Sequence, residues 1–261
     1  MRLPGKAIIV TGSTTGIGEA IARRCVAEGA QVLIHGRDQE RGEALSKELG
    51  DAAVFHADDL SDAEAPPRLV AATLAAFGRI DGLVNNAAWV VRSDLESTDA
   101  ELFDRCMAIN VRAPLLLIRA AVAELKKTAG SIVNIGSVNA YTGEPRQLAY
   151  SMSKGALMTM SRNLANVLAV DRVRVTHFNT GWVLSENEYR LKIAEGLPEN
   201  WPETIGREHV PSGRMTQPEE LAAHALFWLS DESRPITGSV IELEQHPVIG
   251  RIPLKEGDGD A

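Results

Sequence analysis

Residues 7–18 read AIIVTGSTTGIG, and this stretch decides how the rest of the sequence is interpreted. Its first four residues, Ala7 to Val10, are apolar and mostly β-branched, which is typical of a strand buried on both faces. A glycine-rich turn follows directly, and apolar residues recur with helical spacing from Gly16 onwards. A strand, a glycine-rich turn and a helix in this order predict the opening βα unit of an α/β fold.

The three glycines of the turn have the spacing G-x3-G-x-G. Gly12 permits a sharp turn after the strand, Gly16 removes a side chain where the backbone approaches a pyrophosphate, and Gly18 lets the helix pack closely. The amino end of the helix adds unpaired N–H groups and the positive end of the helix dipole. The turn is therefore predicted to bind a dinucleotide through the following residues: Gly12, Ser13, Thr15, Gly16, Ile17 and Gly18.

The alternation of short apolar runs and helical patterns continues along the chain. Strands are predicted at residues 7–10, 31–34, 53–55, 82–85, 131–135, 172–176 and 240–243. Helices are predicted at residues 16–28, 38–49, 63–77, 100–127, 150–170 and 219–229. Apolar strands that alternate with helices favour a parallel sheet covered by helices on both sides. We therefore predict an α/β protein with one Rossmann-like, doubly wound parallel sheet of about seven strands.

No linker divides this pattern, so residues 1–250 are expected to form one domain that contains the dinucleotide site. Residues 185–214 are the one long stretch without a clear pattern, and they include Pro198, Pro202 and Pro211. We expect an irregular substrate loop there, because long irregular segments in compact domains are usually functional. Residues 251–261 are acidic and glycine-rich, which predicts a flexible tail.

The composition narrows the possible partners. The 261-residue chain has 27 basic and 35 acidic residues and a net charge of −8, which disfavours nucleic acid as a partner. Its hydrophobic fraction of 44% is sufficient for a packed core. Cys25 and Cys106 lack metal-ligand spacing, so reduced thiols and no metal are expected. The apolar run at the amino end is too short for a signal sequence or a membrane span, and we expect a cytoplasmic protein without membrane contact.

The end of the second strand indicates which dinucleotide is bound. Sheets that prefer NAD have an acidic residue there, which binds the 2′-hydroxyl of the adenosine ribose. This chain has Gly36 followed by Arg37, and a guanidinium pairs well with a 2′-phosphate. NADP(H) is therefore the favoured cofactor, with NAD(H) as the alternative. The preceding residue, His35, is expected to be a packed strand residue without a chemical role.

A second group of residues indicates acid–base chemistry. Tyr150 and Lys154 are four positions apart at the start of a predicted helix, so they lie on one face. An ammonium group next to a phenol favours the phenolate, which is expected to lower the pKa of Tyr150. Ser137 ends the fifth strand, at the edge of the sheet where ligands bind, and its hydroxyl is suited to hold a carbonyl oxygen. The three residues predict proton transfer between an alcohol and a carbonyl group.

In their order and spacing, these motifs resemble the short-chain dehydrogenase/reductase family over about residues 5–245. The segments that carry the resemblance are Thr11-Gly12-x3-Gly16-Ile17-Gly18, Asp59-Leu60, Asn85-Asn86-Ala87-Ala88, Asn110, Ser137 and Tyr150-x3-Lys154. The resemblance implies an NAD(P)-dependent oxidoreductase that transfers hydride between nicotinamide and a secondary alcohol or ketone. It also implies a homotetramer assembled through the two long helices.

The resemblance further implies roles for individual residues. Tyr150 would transfer the proton, and Lys154 would bind the hydroxyls of the nicotinamide ribose. Asn110 would hold a water molecule in a proton relay to Lys154, so the expected catalytic residues are Asn110, Ser137, Tyr150 and Lys154. The other residues expected at the cofactor are Asp59 at the adenine, Leu60, Asn86 near the ribose, Ala87, Gly181, Val183 and Ser185.

Three positions depart from the family pattern. Thr180 replaces the proline that often precedes Gly181, which gives the backbone more freedom. Thr15 stands where many NADP-preferring members have a basic residue, which is an observation against NADP(H). Residues 244–247, Glu-Gln-His-Pro, replace a glycine-rich end of the last strand, and this is expected to change a subunit contact near the substrate.

Aromatic and polar residues that follow the strand ends or lie in the loop are candidates for the substrate pocket. Aromatic faces suit the C–H groups of a sugar, and amides and acids suit its hydroxyls, so a sugar or polyol is the expected small-molecule substrate. The candidates are Trp89, Asn139, Gln147, Trp182 and Tyr189, together with Tyr141, Glu144 and Glu188. Trp201 and Trp228 are expected only to pack.

Other functions stay open beside a sugar or polyol dehydrogenase. An acyl-chain ketoreductase would use the same catalytic residues. A non-catalytic dinucleotide-binding sensor would be favoured by loss of Tyr150 or Lys154, and both are present. Epimerases and dehydratases of the extended kind usually have a longer carboxyl-terminal domain, and enoyl reductases usually have a wider spacing between the tyrosine and the lysine.

Overall fold

Seven strands form one parallel sheet in the computed structural model, which describes residues 1–249. The strands are β1 (Ala7–Val10), β2 (Gln31–Gly36), β3 (Ala53–Ala57), β4 (Gly82–Asn85), β5 (Ser131–Ile135), β6 (Arg174–Thr180) and β7 (Val240–Leu243). Their order is β3-β2-β1-β4-β5-β6-β7, and every pairing is parallel. The order reverses between β1 and β4, so a ligand crevice is expected at the carboxyl ends of these strands. The predicted fold class is confirmed.

Helices cover both faces of the sheet. They are α1 (Gly16–Ala27), α2 (Gln39–Leu49), α3 (Ala65–Phe77), α4 (Ala100–Met107), α5 (Ala113–Thr128), α6 (Asn139–Thr142), α7 (Leu148–Leu168), α8 (Glu186–Ala194) and α9 (Pro218–Leu229). Neighbouring strand residues enter opposite cores: Ile8 packs with α1 and α9, whereas Ile9 packs with α3 and α5. This alternation follows from the two-residue period of a strand, and it explains why the strands are apolar throughout.

Most predicted helices and strands end within two residues of the observed ends, but β6 was placed too early. A strand at 172–176 is wrong, because Arg172 has a left-handed conformation (φ 60°) that ends the preceding helical segment. The strand instead continues through His177 and Asn179, which are fully buried. Because several of these residues are polar, a prediction based on apolar runs ends the strand too early.

The prediction that residues 185–214 are irregular throughout is also wrong. Helix α8 occupies the first part, where the Ser185 hydroxyl accepts a hydrogen bond from the Glu188 N–H (3.1 Å) and caps the helix. A short 3-10 turn, Trp201–Glu203, follows in the proline-containing part. Helix α8 has no buried residue, so its sequence lacks the apolar stripe by which a helix is normally recognised.

The long helix predicted at residues 100–127 is present but is not regular. A π-helical turn, Ala108–Arg112, separates α4 from α5 and contains Asn110. Pro114 lies in the first turn of α5 and has no N–H to donate to the carbonyl of Asn110, four residues earlier. A regular α-helical hydrogen bond is therefore impossible at this point, and the helix widens.

Within residues 1–249, one helical segment, Ala100–Thr128, is long and apolar enough to span a membrane. Its apolar residues Leu117, Ile118, Ala121 and Leu125 are buried in the core that also contains α3. The packing of the domain thus accounts for the apolar character of this helix. The acidic tail predicted at 251–261 lies outside the described residues, as does Gly250.

A row of buried polar side chains crosses the centre of the sheet. Asn85 donates to Asn134 (2.7 Å), and Asn134 donates to the Ser161 hydroxyl (2.8 Å). The Ser161 hydroxyl lies 3.0 Å from Nδ1 of His177, and Nε2 of His177 lies 3.0 Å from the Asn179 side-chain oxygen. Burial lowers the pKa of His177 from 6.5 to about 4, so the ring is neutral at physiological pH. The row links β4, β5 and β6 to α7 through a neutral imidazole.

This row predicts that acid destabilises the protein through His177. The pKa of an unfolded histidine is near 6.5, so between pH 6.5 and about pH 4 this histidine is protonated in the unfolded chain but neutral in the folded protein. The free energy of unfolding should therefore fall as the pH decreases from 6.5 through 4, by up to about 3 kcal/mol from this residue. Denaturant unfolding at a series of pH values measures the slope. The slope should be smaller in His177→Asn and unchanged in His224→Asn, which alters an exposed histidine; equal slopes in all three proteins would contradict the assignment.

Candidate active site

A cleft of about 590 Å³ lies at the carboxyl ends of β1, β4 and β5. It brings together residues that are far apart in the sequence. The predicted site residues that line it are Gly12, Thr15, Gly16, Ile17, Arg37, Asp59, Leu60, Asn86, Ala87, Trp89, Tyr150, Lys154 and Ser185. The cleft therefore extends from the glycine-rich turn to the predicted catalytic pair.

The glycine-rich turn forms one wall of the cleft and leaves no room for side chains at two positions. Gly12 has a φ of +62°, and a Cβ there would lie 2.8 Å from the Cα of Ala87. A Cβ on Gly18 would collide with the carbonyl oxygen of Gly12 and with the side-chain amide of Asn86. That amide donates to the carbonyls of Thr11 (2.9 Å) and Gly12 (3.0 Å), so Asn86 holds the turn against the end of β4.

The turn is suited to an anionic group. Thr15 precedes α1, and its side chain caps none of the first N–H groups of the helix among the described residues. These N–H groups and the helix dipole face a surface that Gly16 leaves free of a side chain. The residues present thus fit the pyrophosphate of a dinucleotide.

His35 holds the turn from behind. Its Nδ1 accepts a hydrogen bond from the Gly12 N–H (3.2 Å), and its Nε2 lies 3.2 Å from the carbonyl oxygen of Asp58. Burial lowers the pKa of His35 to about 4, so a neutral ring makes both contacts. The Ser13 hydroxyl accepts from the His35 N–H (3.0 Å) and donates to the carbonyl of Val10 (2.6 Å), so Ser13 supports the turn instead of lining the cleft. This role of His35 gave no signal in the sequence, because its partners lie 23 residues away.

Two guanidinium groups lie at the adenosine end of the cleft. Arg37 is exposed directly after β2, and Arg105 extends from α4 over the ring of Trp89, with 4.9 Å between the guanidinium carbon and the ring centroid. Both line the cleft with Asp59. A backbone hydrogen bond from Ser61 lowers the pKa of Asp59, and the charges of Arg37 and Arg105 lower it further. Arg105 belongs to no sequence motif, and only the fold brings it to this site.

Ser137, Tyr150 and Lys154 meet at the end of β5. Tyr150 and Lys154 are buried, with 8% and 2% of their surfaces exposed. The Lys154 ammonium donates to the carbonyl oxygen of Ile135 (2.7 Å) and lies 5.5 Å from the centroid of the Tyr150 ring. Hydrogen bonding with the Ser137 hydroxyl lowers the pKa of the Tyr150 phenol, so the two hydroxyls are neighbours. Tyr150 and Lys154 line the cleft, with Ser137 next to Tyr150.

The expectation that Lys154 lowers the pKa of Tyr150 is wrong, because the pKa of Tyr150 is raised. Burial raises the pKa of Tyr150 to about 12, although the hydrogen bond with Ser137 opposes this shift. Burial also lowers the pKa of Lys154 to about 8. Spacing along a helix predicts that two side chains are neighbours, but burial, which spacing does not show, sets the direction of both pKa shifts.

Asn110 lies behind the cleft wall with 1% of its surface exposed. Its side chain accepts from the Trp89 N–H (2.8 Å) and donates to the Trp89 carbonyl (3.1 Å) and to the Ser153 hydroxyl (2.9 Å). It therefore fixes the segment after β4 relative to α7. The water relay that the family resemblance implies for Asn110 stays a prediction.

Other predicted residues lie around the cleft instead of in its wall. Gly181 donates its N–H to the carbonyl of Leu243 (2.9 Å), and Val183 pairs with Thr216. Thr180 lines the cleft, and its hydroxyl donates to the carbonyl of Gly136 (3.1 Å).

The substrate candidates separate into three groups. Asn139 donates to Gln147 (2.5 Å), and Asn139 lines a second cavity, of about 610 Å³, together with Tyr141 and Glu144. Trp182 and Tyr189 stack on the buried Trp201, with ring centroids 5.7 Å and 6.3 Å apart, and form an aromatic cluster under α8. Only Trp89 and Glu188 among the substrate candidates line the main cleft.

Comparison with known proteins agrees with this geometry. A family model described as enoyl-(acyl carrier protein) reductase matches residues 12–244. The L-fucose dehydrogenase of Mus musculus is 36% identical over 247 residues, which cover 91% of this chain and 86% of that protein. The chain belongs to the short-chain dehydrogenase/reductase family.

Two further members of the short-chain dehydrogenase/reductase family extend the comparison. The NADP-dependent (R)-specific alcohol dehydrogenase of Lentilactobacillus kefiri is 34% identical over 244 residues, 91% of this chain and 94% of that protein. The structure of 3-ketoacyl-(acyl-carrier-protein) reductase from Brucella melitensis, complexed with NADH, is 31% identical, with a TM-score of 0.81 over 92% of this chain and 97% of that chain. The protein is therefore an NAD(P)-dependent oxidoreductase, as the sequence predicts.

The geometry predicts that Tyr150→Phe abolishes turnover but retains cofactor binding. Phenylalanine preserves the packing of the ring and removes the proton that an alcohol–carbonyl reaction needs, so kcat should fall by at least about 10²-fold. Steady-state kinetics and fluorescence titration with NADPH measure the two properties. Tyr141→Phe, which alters a residue of the second cavity, is the control and should keep its activity. Turnover near the wild-type rate in Tyr150→Phe would refute the acid–base role.

Proposed function

We propose that the protein transfers hydride between NADP(H) and a secondary alcohol or ketone of a sugar or polyol. The observation that carries the proposal is that Tyr150 and Lys154 line the same cleft as the phosphate-binding turn, with Ser137 next to Tyr150. The substrate class is supported by an aromatic and a carboxylate side chain, Trp89 and Glu188, in that cleft. It is also supported by the similarity to L-fucose dehydrogenases, which are 36% and 35% identical to this chain.

The proposed mechanism assigns separate tasks to the three residues. A bound nicotinamide supplies or accepts the hydride. The joined hydroxyls of Ser137 and Tyr150 hold the carbonyl oxygen of the substrate, and Tyr150 donates a proton to it during reduction. The Lys154 ammonium, fixed by the Ile135 carbonyl, stabilises the negative charge that develops on the phenol oxygen. The high pKa of Tyr150 keeps it protonated at neutral pH, which suits the reduction of a ketone.

The pH dependence of the two directions follows from this assignment. Oxidation of an alcohol requires the deprotonated phenol, which is a minor species at neutral pH when the pKa is near 12. We expect kcat/KM for alcohol oxidation to increase from neutral to alkaline pH, and kcat/KM for ketone reduction to stay level, because the phenol remains protonated well below a pKa of about 12. Initial rates in both directions across this range test the assignment, and parallel pH profiles would contradict it.

The preference for NADP(H) rests on Arg37. Its guanidinium is exposed at the end of β2, where a 2′-phosphate is expected, and Arg105 adds a second positive charge to this end of the cleft.

In fluorescence titrations NADPH should bind more tightly than NADH. Arg37→Ala should weaken NADPH binding by about 10-fold, the value of one charge-assisted hydrogen bond, and leave NADH binding unchanged. Arg24→Ala, which alters an exposed arginine of α1, is the control; equal affinities that Arg37→Ala leaves unchanged would exclude this role.

An acyl-chain ketoreductase is the second candidate, and the similarity to 3-ketoacyl-(acyl-carrier-protein) reductase favours it. A panel of sugars, polyols, simple secondary alcohols and β-ketoacyl thioesters, followed at the nicotinamide absorbance, distinguishes the candidates. Turnover of polyols with a higher kcat/KM than β-ketoacyl thioesters supports the first proposal. The reverse order supports the second candidate.

We also propose that the protein is a homotetramer assembled through α5 and α7. Both helices carry exposed apolar residues: Leu115 on α5, at 43% exposure, and Met152 and Val167 on α7, at 50% and 58%. Such residues favour an interface when they are close together. Sedimentation equilibrium tests the proposal, and a monomeric mass at micromolar concentration would refute it.

A further inference from the structure

Glu188 differs in its partners from the carboxylates at the two ends of α8, Glu186 and Glu195. Glu186 forms ion pairs with Arg41 (2.8 Å) and Arg190 (2.5 Å), and Glu195 forms ion pairs with Lys192 (2.7 Å) and Arg92 (3.1 Å). Within residues 1–249, Glu188 forms no ion pair within 4.0 Å. Its one side-chain partner is neutral: the indole N–H of Trp182 donates to Oε1 at 2.8 Å.

The free oxygen of Glu188 belongs to the substrate part of the cleft. Glu188 lines the cleft together with Tyr150, Trp89 and Leu191. Its Oε2 accepts no hydrogen bond from any of the described residues. The negative charge of Glu188 also reaches the catalytic phenol, because it raises the pKa of Tyr150. A charged acceptor with an open position therefore lies near the reacting group.

The position of the carboxylate is set before a substrate arrives. The Trp182 ring stacks on Trp201, which is 1% exposed, and the backbone N–H of Trp182 donates to the Glu244 carboxylate (3.2 Å). The Glu188 N–H donates to the Ser185 hydroxyl (3.1 Å) at the start of the helix. These contacts restrict the Glu188 side chain, so little conformational freedom is lost when its second oxygen binds a ligand.

We propose that Glu188 determines substrate specificity by accepting a hydrogen bond from a hydroxyl group of a neutral polyhydroxylated substrate. A hydrogen bond to a carboxylate is stronger than one to a neutral acceptor, so Glu188 favours substrates that place a hydroxyl at Oε2. The same charge repels anionic substrates, because no cation pairs with it. This inference rests on the proposed function and specifies which side chain recognises the substrate hydroxyl.

The surrounding charges favour a neutral substrate over a cationic one. The Lys154 ammonium lies 5.5 Å from the centroid of the phenol ring. Arg92 also acts on Tyr150, since its positive charge lowers the pKa of the phenol. A cationic substrate would gain from Glu188 but would be repelled by these two groups, whereas a hydroxyl group gains from Glu188 without that cost.

The variant Glu188→Gln tests the proposal because it retains the shape of the side chain and an acceptor for Trp182 but removes the charge. The substrates are a neutral polyol, the sugar acid of the same chain length, and a simple secondary alcohol without a neighbouring hydroxyl. We expect kcat/KM for the polyol to fall by about 10- to 100-fold, mainly through KM. We expect kcat/KM for the sugar acid to rise, and that for the simple alcohol to be retained or slightly increased, because a lower pKa of Tyr150 provides more phenolate. Glu203→Gln, which alters an exposed acid in the same loop, is the matched control.

A second readout separates a direct role from a structural one. Removal of the Glu188 charge should lower the pKa of Tyr150, so the ascending limb of the pH profile for alcohol oxidation should move to lower pH in Glu188→Gln. A general disturbance of the loop would reduce activity on all three substrates without this shift. Uniform losses with an unshifted profile would overturn the proposal.

Failure of this inference differs from failure of the proposed function. If the wild-type protein turns over polyols and Glu188→Gln keeps the same ratio of polyol to sugar-acid activity, the inference on Glu188 is wrong and the proposed function stands. If the wild-type protein oxidises simple alcohols but no polyol, the proposed substrate class and the hydroxyl contact of Glu188 are both wrong. A preference for cationic amino alcohols that is lost in Glu188→Gln would also overturn the neutral substrate class.

Discussion

The buried ammonium group of Lys154 is the constraint on which the active site depends. A cation without water needs an acceptor, and the carbonyl oxygen of Ile135, the last residue of β5, provides it at 2.7 Å. Together with the buried contacts of Ser153 and Ser161, this bond fixes α7 relative to the sheet. Tyr150, one turn earlier on the same helix, is thereby held next to Ser137, which lies just beyond the end of β5. Displacement of α7 would leave a buried charge unpaired, which is one of the most costly defects in a folded protein.

The opposite side of the cleft is held by contacts of another kind. Close packing of glycines, a neutral His35 and the amide of Asn86 hold Gly12 and the rest of the phosphate-binding turn, and each of these groups is uncharged. The positive potential of this region therefore comes from backbone N–H groups and the dipole of α1. Charged side chains are found at the two ends of the cleft instead, with Arg37 and Arg105 at one end and Glu188 at the other. An overall charge of −8 is thus compatible with the binding of an anionic cofactor.

Local patterns were sufficient to predict much of this structure. The strands β1, β4, β5 and β7 are apolar runs bounded by turn residues, and their predicted limits agree with the observed ones. The glycine-rich turn and the Tyr150/Lys154 pair act over less than two helical turns, so their spacing in the sequence is close to their spacing in space. Helix α8 and the second half of β6 were missed because one lacks an apolar stripe and the other contains buried polar residues. In both cases contacts with distant segments replace the local pattern.

The sequence by itself determined the fold class, the position of the glycine-rich turn and the identity of the residues proposed to transfer the proton. These features depend on periodicity and on motifs that are contiguous in the chain. The tertiary structure alone decided the direction of the Tyr150 pKa shift and the contact of His35 with the glycine-rich turn. It also decided that Arg105 lines the cleft and that Glu188 has no cationic partner within residues 1–249. Burial and pairing of charges depend on which segments the fold brings into contact, and that information is not present in the spacing of residues along the chain.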